Sequence, residues 1–476
     1  GSRLGSFTEH APKCLLPING VPILHNMLTH LSSSGVEETV IVVGHIKEKI
    51  YDMVGDSFNG MRISYVESDR YSTTNNIYSL WLARQHLTED VVLLESDVFF
   101  ERILLDHMFA KGNRNVAAVA RHQSWMSGTV VSLDKEGNIQ ALLETRHQGP
   151  RFDYSVVFKT LNIYLFRRSF LREQFVPRLE TFINAGDVNQ YYEAILHATA
   201  YSQQHSMTTL LCDDIKWFEV DDENDRLSAE YLFASPKERY EIVAREHGGY
   251  WRYGFTDHAY LYNLYFPPEG VFVYMRNHGE DLIASYPIGQ AALASLVSLI
   301  IRQPTQRIVV GNGASEIIKI ISGHLCNQLI ISEPSFNEYA NAAPEGNITG
   351  FALKPPLFQL DVDEFAAEAL RCRADVAVVV SPNNPTSLLV SKLDLLLLAK
   401  KLAGQDCLLI VDESFIDFVD DCDQVTLENE VAEYGNLAIL KSMSKAYGIC
   451  GLRLGYLLTA NQKLAAAVRD KVPIWN

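Results

Sequence analysis

Apolar residues in the first half of the chain form short runs, and stretches with helical period separate them. The run at 39–44, Thr-Val-Ile-Val-Val-Gly, is continuous and mostly β-branched, which is typical of a buried parallel strand. Similar runs predict strands at 62–66, 91–97, 115–120 and 160–166. Strands that alternate with helices predict an α/β fold whose ligands bind at the carboxyl ends of the strands.

The same alternation returns in the second half, where each apolar run ends in a polar motif. The runs predict strands at 307–310, 328–331, 376–380, 408–411 and 437–440. Polar groups at strand ends are what a large α/β enzyme with a bound cofactor requires.

A charged stretch with helical period lies between the two halves. It predicts a connecting helix at 227–246, and the His-Gly-Gly that follows at 247–249 breaks the pattern. We therefore expect a first domain at 1–226 and a second domain at 247–476.

Composition narrows the range of partners. The chain has 476 residues and a net charge of −17, which argues against a nucleic-acid partner because no broad basic face is available to neutralise phosphates. The seven cysteines lack any metal-ligand spacing, so we expect free thiols in a reducing cytoplasm.

The longest apolar run, Ala291–Ile301, contains two serines and is too short to cross a bilayer. It predicts a core helix and no membrane partner.

The first candidate site begins at the start of the sequence. Gly1, Ser2 and Arg3 open a glycine-containing segment that ends at Gly5, and Lys13 lies in the segment Ala-Pro-Lys-Cys-Leu-Leu-Pro. A backbone loop with two such cations can hold a triphosphate during an in-line displacement. Arg3 and Lys13 are therefore candidate catalytic residues as well as nucleotide contacts.

Two aspartates are candidate metal ligands. Asp97 ends the predicted strand at 91–97, and Asp221 lies in the acidic segment Glu-Val-Asp-Asp at 219–222. Carboxylates at such positions can hold the Mg²⁺ that aligns a nucleoside triphosphate.

These motifs resemble those of the nucleotidyltransferases with a Rossmann-like sheet, over about residues 1–245. Within that family the segment at 71–80, Tyr-Ser-Thr-Thr-Asn-Asn-Ile-Tyr-Ser-Leu, is similar to the cytidylyltransferases for phosphocholine-type head groups. The resemblance implies that Asn75 and Asn76 lie where the base is read, and that the nucleotide is CTP. It also implies a hydrophobic strand upstream of Gly1.

Aromatic and acidic residues offer a place for an amine head group. Trp125, Tyr191 and Tyr192 are candidates to surround a cation with their ring faces. Asp187 and Glu193 flank the two tyrosines and are candidates to pair with an ammonium group. Plain core packing is the alternative for the three aromatic residues.

The second candidate site centres on Lys445, which follows Ser442-Met-Ser444 and precedes Arg453 by eight residues. A lysine amine can hold pyridoxal 5′-phosphate as a Schiff base, while serine hydroxyls and a guanidinium hold the phosphate. Three further motifs precede it: Gly-Asn-Gly-Ala-Ser-Glu at 311–316, Ser-Pro-Asn-Asn-Pro-Thr at 381–386, and Asp-Glu-Ser-Phe at 412–415.

Together these motifs resemble the fold-type I aminotransferases over residues 247–476, in the branch of histidinol-phosphate aminotransferase and threonine-phosphate decarboxylase. The resemblance implies that Asp412 keeps the pyridine nitrogen protonated, that Asn384 binds the ring 3-oxygen and that Phe336 stacks on the ring. It implies phosphate contacts from Gly313, Ala314, Ser315, Ser442, Ser444, Arg453 and, from a second subunit, Tyr286.

Two positions depart from the aminotransferase pattern. Phe415 stands where many aminotransferases have a tyrosine on the 3-oxygen, and Ser387 replaces a glycine. Phe415 favours the decarboxylase-like branch. The family also implies a closing small domain after Asn476, together with the arginine that binds a substrate carboxylate.

The two halves together resemble the fused phosphonate cytidylyltransferase–aminotransferases. This implies a bifunctional enzyme that activates 2-aminoethylphosphonate with CTP and makes or consumes its amine with an amino donor or acceptor. Two alternatives stay open. The chain could activate phosphocholine or aminopropanol phosphate beside a threonine-phosphate decarboxylase-like domain, or its second domain could be a non-catalytic dimerisation module. We expect a homodimer, with the aromatic segment 250–266 packed on the partner subunit.

Overall fold

The computed structural model describes residues 4, 6–149, 152–202, 207–246, 248–258 and 260–475. The chain forms two compact units, residues 1–256 and 257–476. Among the described residues, no helix is both long and apolar enough to cross a membrane.

The first unit is a mixed α/β structure. Its strands are β1 (Pro17–Ile18), β2 (Val21–Pro22), β3 (Glu38–Val43), β4 (Ser57–Phe58), β5 (Met61–Glu67), β6 (Val91–Leu94), β7 (Val98–Phe100), β8 (Val116–Arg121), β9 (Val130–Leu133), β10 (Ile139–Leu143), β11 (Phe158–Phe166), β12 (Thr208–Leu211) and β13 (Trp217–Glu219). Its helices are α1 (Ser6–His10), α2 (Ile23–Ser33), α3 (Glu48–Val54), α4 (Asn76–Leu82), α5 (Ile103–Phe109), α6 (Arg168–Phe170), α7 (Val176–Asn184), α8 (Glu193–Ser202), α9 (Glu223–Phe233) and α10 (Pro236–Glu246).

The long strand β11 organises the main sheet of this unit. In the described part of the chain the strand order is β10-β9-β11-β8-β12, and β6 also pairs with β11. A register shift interrupts the β11–β8 pairing between Thr160 and Tyr164, and Asn162 takes a left-handed conformation there. Such a bulge redirects side chains, and here it turns residues of β11 toward the candidate site.

The strands predicted in the first half are present, with one difference at the site. β3 pairs in parallel with β5, as the continuous β-branched run indicated, although most of its residues are only half-buried. The strand predicted at 91–97 ends at Leu94. Asp97 therefore lies in the turn between β6 and β7 and not at the end of a strand.

The single connecting helix predicted at 227–246 is two helices, α9 and α10, and both belong to the first unit. Pro236 starts α10, and Ser235 exchanges hydrogen bonds with Glu238 as in a capping box. The charged pattern of the sequence continues across Ser235 and Pro236. These two residues nevertheless start a new helix, so the pattern alone predicted one helix where there are two.

The second unit is built on one large sheet. Its strands are β14 (Ile308–Asn312), β15 (Leu329–Glu333), β16 (Ile348–Ala352), β17 (Val376–Val380), β18 (Leu408–Asp412), β19 (Leu437–Ser442) and β20 (Leu454–Thr459). Its helices are α11 (Glu269–Ala284), α12 (Gln290–Ile301), α13 (Ala314–Ile320), α14 (Glu338–Ala342), α15 (Val362–Cys372), α16 (Lys392–Ala403), α17 (Cys422–Val425) and α18 (Gln462–Arg469).

This sheet aligns the polar strand ends that the sequence predicted. The described strands have the order β14-β20-β19-β18-β17-β15-β16, and β20 alone runs antiparallel to its neighbours. The registers Val380↔Asp412 and Asp412↔Leu440 bring the carboxyl ends of β17, β18 and β19 to one edge. Two apolar clusters, one around Phe365 and one around Tyr339, form the core of this unit.

Helices α11 and α12 bury little of their apolar surface in the chain. The run at 291–301 forms α12, but only Ala294 and Val297 are buried, and Leu299 is 78% exposed. The prediction of a core helix is therefore wrong for this chain in isolation. α11 buries none of its residues.

The aromatic segment 250–266, which was expected to pack on a partner subunit, is divided between the two units of the chain. Tyr253 is buried, and its ring centroid lies 4.5 Å from that of Tyr231 in the first unit. Phe255 also contacts Tyr231. Since this part of the segment packs within its own chain, the prediction of an interface arm fails for these residues.

Glu413 is a carboxyl group buried in the second unit. It accepts hydrogen bonds from Thr426 Oγ1 at 2.6 Å and from Leu427 N at 2.8 Å, and its side chain lies near the ammonium of Lys441. Burial raises the pKa of Glu413 from 4.5 to about 7.

We predict that Glu413 makes stability fall with rising pH. Between pH 4.5 and about 7 the folded state binds more protons at this group than the unfolded state does. The associated stability is present below pH 4.5 and is lost as pH rises to about 7, by at most about 3 kcal/mol. Denaturant unfolding across this range should give a flatter profile for Glu413→Gln than for the wild type. The exposed Glu433→Gln should match the wild type, and parallel profiles for wild type and Glu413→Gln would contradict the prediction.

Candidate functional sites

Lys13 is held between two carboxylates in the first unit. Its Nζ lies 2.7 Å from Asp97 Oδ2 and 2.7 Å from Asp221 Oδ1. The short pair β7–β13 brings the two acids together, and Val220 N donates to Asp97 O at 2.9 Å. The structure thus assembles three of the residues that the sequence predicted for this site.

The charges of this group fit a bound cation. Burial acts to lower the pKa of Lys13, but the charges and hydrogen bonds of Asp97 and Asp221 outweigh it, so the pKa is raised. Asp97 Oδ1 is buried and has no hydrogen-bond partner within the described residues. Two carboxylates facing one ammonium leave a net negative charge. Mg²⁺ sites commonly use one or two carboxylates and complete their shell with water and substrate phosphates.

A larger ligand set is not present in the described residues, where no group of three or more His, Cys, Asp or Glu side chains has metal-binding geometry. Gly1, Ser2 and Arg3 lie outside the residues that the structure describes. Their predicted contacts with the nucleotide therefore remain predictions.

The two asparagines predicted near the base have different surroundings. Asn75 caps helix α4, and its side-chain oxygen accepts from Asn76 N at 2.9 Å. The Asn76 amide is used inside the protein: Nδ2 donates to Glu95 Oε1 at 3.0 Å, and Oδ1 accepts from Tyr192 N at 2.9 Å. Asn76 thus positions other site residues, and direct base contact remains a prediction for Asn75.

A cluster of glutamates adjoins the Lys13 group. The charges of Glu193, Asp97 and Glu219 act on Glu95, and the pKa of Glu95 is raised first by burial and then by these neighbours. Glu193 begins helix α8 and is 4% exposed, and burial likewise raises its pKa. Sequence reasoning missed Glu95, although it is a polar residue within the same apolar run that ends at Asp97.

One cation is built into this cluster. Lys159, on the bulged strand β11, lies 2.9 Å from Glu219 Oε2 and is 2% exposed. Asn162 Nδ2 donates to the other oxygen of Glu219 at 3.0 Å. Both oxygens of the Glu219 carboxylate therefore have a partner on β11.

Only part of the predicted amine site is brought together. Tyr192 and Glu193 are buried beside Glu95, whereas Asp187 and Tyr191 are exposed. Trp125 stacks on Phe218 with ring centroids 5.0 Å apart and an angle of 4°. Core packing, the alternative considered for the aromatic residues, describes Trp125, and the predicted aromatic enclosure is not formed in the described structure.

Lys445 follows strand β19 in the second unit, and a neighbouring segment holds its loop. Asn263 N donates to Lys445 O at 2.8 Å, and Asn263 Nδ2 donates to Ala446 O at 3.0 Å. The Lys445 ammonium lies 5.5 Å from the ring centroid of Phe415. Burial lowers the pKa of Lys445, which favours the neutral amine that bonds to a carbonyl carbon.

Asp412 is fixed at the end of β18 by hydrogen bonds. Tyr339 OH donates to its Oδ2 at 2.8 Å, and Ser414 N donates to its Oδ1 at 3.0 Å. Burial raises the pKa of Asp412, while these hydrogen bonds and the charge of Lys445 act in the opposite direction. Tyr339 was not predicted from the sequence, although it lies three residues after Phe336 and so near the same side of the turn.

The predicted phosphate contacts converge on Arg453. Its guanidinium donates to Ser315 Oγ at 3.2 Å and to Ser444 Oγ at 3.4 Å. Gly313 has φ +78°, and a Cβ there would lie 2.5 Å from Arg453 Nη2. Ser442 Oγ accepts from Ser444 N at 3.3 Å. Ala314 starts helix α13 beside this group.

The second unit has a cavity of about 470 Å³, and one of its lining residues is Phe415, the ring that lies 5.5 Å from the Lys445 ammonium. Asn384, Phe415, Tyr260 and Tyr262 line it. The two tyrosines come from the segment that was expected on a partner subunit. Both are exposed in their own chain, so a partner contact remains a prediction for them.

Two further predicted cofactor contacts, Phe336 and Tyr286, remain predictions. Phe336 is half-buried and packs against the core around Tyr339. Tyr286 is 78% exposed and stacks on Trp475, with ring centroids 4.3 Å apart.

The remaining residues fit pyridoxal phosphate. A lysine with a lowered pKa, a buried carboxylate and an arginine–serine group with room provided by a glycine match the three parts of that cofactor: its aldehyde, ring nitrogen and phosphate.

Comparison with known proteins agrees with two functional units. Residues 1–172 match the MobA-like NTP transferase domain, and residues 284–475 match the aminotransferase class I and II family. The second unit alone has relatives of two kinds. A histidinol-phosphate aminotransferase of Leuconostoc citreum is 32% identical over 40% of this chain and 55% of its own length. An L-serine phosphate decarboxylase of Campylobacter jejuni is 27% identical over 44% of this chain and 57% of its own length.

Other relatives match both units together, and one of them has a named product. The CMP-5′-(3-aminopropyl)phosphonate synthase of Streptomyces rubellomurinus is 40% identical over 100% of this chain and 75% of its own length. The resemblance and the two-part fold predicted from the motifs are thereby confirmed. The chain belongs to the family of fused nucleotidyltransferase and aminotransferase enzymes that includes this synthase.

Proposed function

We propose that the first unit transfers CMP from CTP to the phosphonate oxygen of an aminoalkylphosphonate. The observation that carries this proposal is the Lys13 group, in which one ammonium and two carboxylates meet at 2.7 Å. In nucleotidyl transfer an oxygen of the acceptor attacks the α-phosphorus, and pyrophosphate leaves on the opposite side.

Each member of this group has a role in that displacement. Bound Mg²⁺ would supply positive charge at the phosphates, and Asp97 and Asp221 are the residues to hold it. Lys13 would move from the carboxylates to the phosphates, where its charge stabilises the negative charge that develops on the leaving group.

The relative's product supports both the nucleotide and the acceptor class. Its name describes a CMP ester of an aminopropylphosphonate, which requires a cytidine nucleotide and an amine-bearing phosphonate. The resemblance of the motifs implies 2-aminoethylphosphonate, which has one methylene fewer. We propose an ω-aminoalkylphosphonate as the acceptor.

We propose that the second unit binds pyridoxal phosphate and interconverts the amine of the same phosphonate with a carbonyl group. The bound cofactor would supply an electron-withdrawing ring. Lys445 would hold it covalently and then carry the substrate proton, Asp412 would face the ring nitrogen, and Arg453 with Ser315 and Ser444 would hold the phosphate.

Decarboxylation of an amino-acid phosphate is the second candidate for this unit. Phe415 at the Lys445 ammonium and the similarity to an L-serine phosphate decarboxylase support it. An aminotransferase needs an amino donor and a carbonyl acceptor, whereas a decarboxylase releases CO₂ from one substrate. Product analysis therefore separates the two.

We also propose a homodimer formed through the second unit, in the cytoplasm where CTP and pyridoxal phosphate are available. The exposed apolar residues of α11 and α12 support a second copy as the partner, because an isologous contact would cover the same face on both chains. Tyr286, exposed in its own chain, would then contact the neighbour's phosphate group.

Replacing a carboxylate of the Lys13 group should abolish nucleotidyl transfer. Asp97→Asn removes one of two charges that hold the metal, so pyrophosphate release should fall roughly 100-fold or more. The exposed Asp52→Asn is the matched control and should retain wild-type rates.

Pyrophosphate release measured with each nucleotide should be fastest with CTP. Equal rates with UTP, or normal rates with a chelator present, would contradict the proposed reaction.

Replacing Lys445 should separate the two activities. Lys445→Ala should lose the visible absorbance band of the bound cofactor and all amine chemistry, while pyrophosphate release from CTP persists because Lys13 lies in another unit. The exposed Lys463→Ala should keep the band. A band that survives in Lys445→Ala would refute the assignment, and an unchanged amine turnover would do so independently. A wild-type protein without amine turnover would favour the non-catalytic dimerisation module.

Complementation should reveal a site shared between subunits. Light scattering should give twice the chain mass, and Tyr286→Ala should weaken retention of pyridoxal phosphate. Co-expression of Tyr286→Ala with Lys445→Ala chains should restore tight retention, because one site of each mixed dimer then combines an intact Lys445 with an intact Tyr286. A stable monomer with full amine turnover, or no restoration in verified mixed dimers, would contradict the shared site.

A further inference from the structure

A buried lysine joins two elements of the second unit that carry the Lys445 site. Lys441 lies on β19, on the strand that leads into Lys445, and its side chain is 7% exposed. Its Nζ lies 2.8 Å from Asp417 Oδ1, in the short 3₁₀ helix Ile416–Phe418 that follows β18. Glu428 Oε1 lies 3.7 Å from the same Nζ. The lysine therefore ties the segment after one strand to the neighbouring strand.

The ion pair holds its charge although the lysine is buried. Burial acts to lower the pKa of Lys441, but the charges of Glu428 and Asp417 outweigh it, so the pKa is raised and the ammonium stays protonated. Within the described residues Asp417 Oδ2 is buried and has no hydrogen-bond partner, and Lys441 supplies the hydrogen bond to Oδ1. Glu428, by contrast, also accepts from Tyr456 OH at 2.5 Å. The Asp417 carboxylate thus depends on Lys441 more than Glu428 does.

The helix that holds Asp417 has one side toward the protein and another toward the cavity. Ile416 is 2% exposed, whereas Phe415, Phe418 and Val419 line the cavity of about 470 Å³. Phe418 N donates to Phe415 O at 3.1 Å, and residues three apart lie on the same side of such a turn. The anchored Asp417 side chain therefore fixes where both rings stand. We call Phe415 and Phe418 the aromatic wall.

The aromatic wall lies beside the reacting amine. The ring centroid of Phe415 is 5.5 Å from Lys445 Nζ. Among the described residues that line the cavity, none carries a charge. A substrate that reacts at Lys445 would therefore lay its alkyl chain, and not a charged group, against the two rings.

We propose that Lys441 is a positioning residue for the amine chemistry of the second unit: through Asp417 it holds the aromatic wall in place for the alkyl chain of the substrate. The inference rests on the proposed function of that unit. Lys441 is not among the described residues that line the cavity, so its effect reaches the substrate only through the wall. A wall that is fixed before binding lowers the concentration of substrate needed to fill the site.

A buried ion pair could instead serve stability alone, and two variants separate the roles. Lys441→Met leaves Asp417 without its cation and should lower the midpoint of denaturant unfolding. Lys441→Met combined with Asp417→Asn removes both charges of the pair, so the midpoint should return most of the way to that of the wild type. The wall is unanchored in both.

The substrate measurement uses the visible absorbance band of the protein loaded with pyridoxal phosphate. The band is followed as 2-aminoethylphosphonate or 3-aminopropylphosphonate is added. In both Lys441 variants the concentration of the better amine that gives half of the maximal change should rise roughly 10-fold. This concentration does not depend on the fraction of folded protein, so a loss of stability alone would leave it unchanged.

Two further variants test the wall and the charge separately. Phe418→Ala removes a ring that is 51% exposed, so it should keep the wild-type midpoint and raise the same amine concentration roughly 10-fold. Lys401→Met removes a more exposed lysine of the same unit, which lies 2.9 Å from Asp363, and should change neither the amine concentration nor the band.

Hydrogen exchange reports on the wall without any substrate. The backbone amides of Ile416, Phe418 and Val419 donate to carbonyl groups within 413–416. In the double variant these amides should exchange several-fold faster than in the wild type or in Lys401→Met, because the turn has lost its anchor. If the double variant does not fold, Asp417→Asn alone tests the same anchor, since Lys441 keeps Glu428 as a partner.

The outcomes distinguish this inference from the reaction on which it rests. A wild-type amine concentration in the double variant or in Phe418→Ala would overturn the role of the wall. A raised concentration with unchanged exchange at 416–419, or with exchange that rises throughout the unit, would overturn the role of Lys441, because the effect would not pass through the wall. A wild-type band that responds to neither amine would refute the proposed amine chemistry itself, and the positioning role with it.

Discussion

Charge that leaves water has to be compensated, and this requirement shapes both sites. Lys13 lies between Asp97 and Asp221, and Lys159 is committed to Glu219. In the second unit Asp412 is held by a tyrosine hydroxyl and a backbone N–H. In each case strand pairing positions the carboxylates, so these side chains are oriented before any ligand binds.

Much of the fold could be predicted because its strands are continuous apolar runs. β17 occupies the predicted residues 376–380, and the other predicted strands of the second unit differ by a few residues at their ends. β20 was not predicted, although it separates β14 from β19 in the sheet. Its place depends on pairing with residues far away in the chain, which local periodicity does not contain.

The sequence predicted which residues belong to the site of the first unit better than it predicted which side chains contact one another there. Lys13, Asp97 and Asp221 were predicted from their motifs, but the lysine lies 84 and 208 positions from the two acids in the sequence. The β7–β13 pair, which brings the two acids together, was not predicted. The stacking of Trp125 on Phe218 was not predicted, because a sequence does not show whether an aromatic ring packs against a ligand or against another ring. Glu95 and Tyr339 were missed because their importance lies in hydrogen bonds to distant residues.

The segment around Asn263 has a consequence for how this enzyme can change over time. It binds the loop of Lys445 through two hydrogen bonds, and Gly448, with φ +59°, leaves no space for a Cβ against the carbonyl of Phe266. The two segments, about 180 residues apart in the chain, must therefore evolve together. A substitution that adds a larger side chain to one segment is tolerated only if the backbone of the other moves away. The same segment lines the cavity through Tyr260 and Tyr262, so a change that alters which substrates fit also strains the loop of the lysine. Substitutions in this segment are therefore expected to change the range of substrates and the position of Lys445 together.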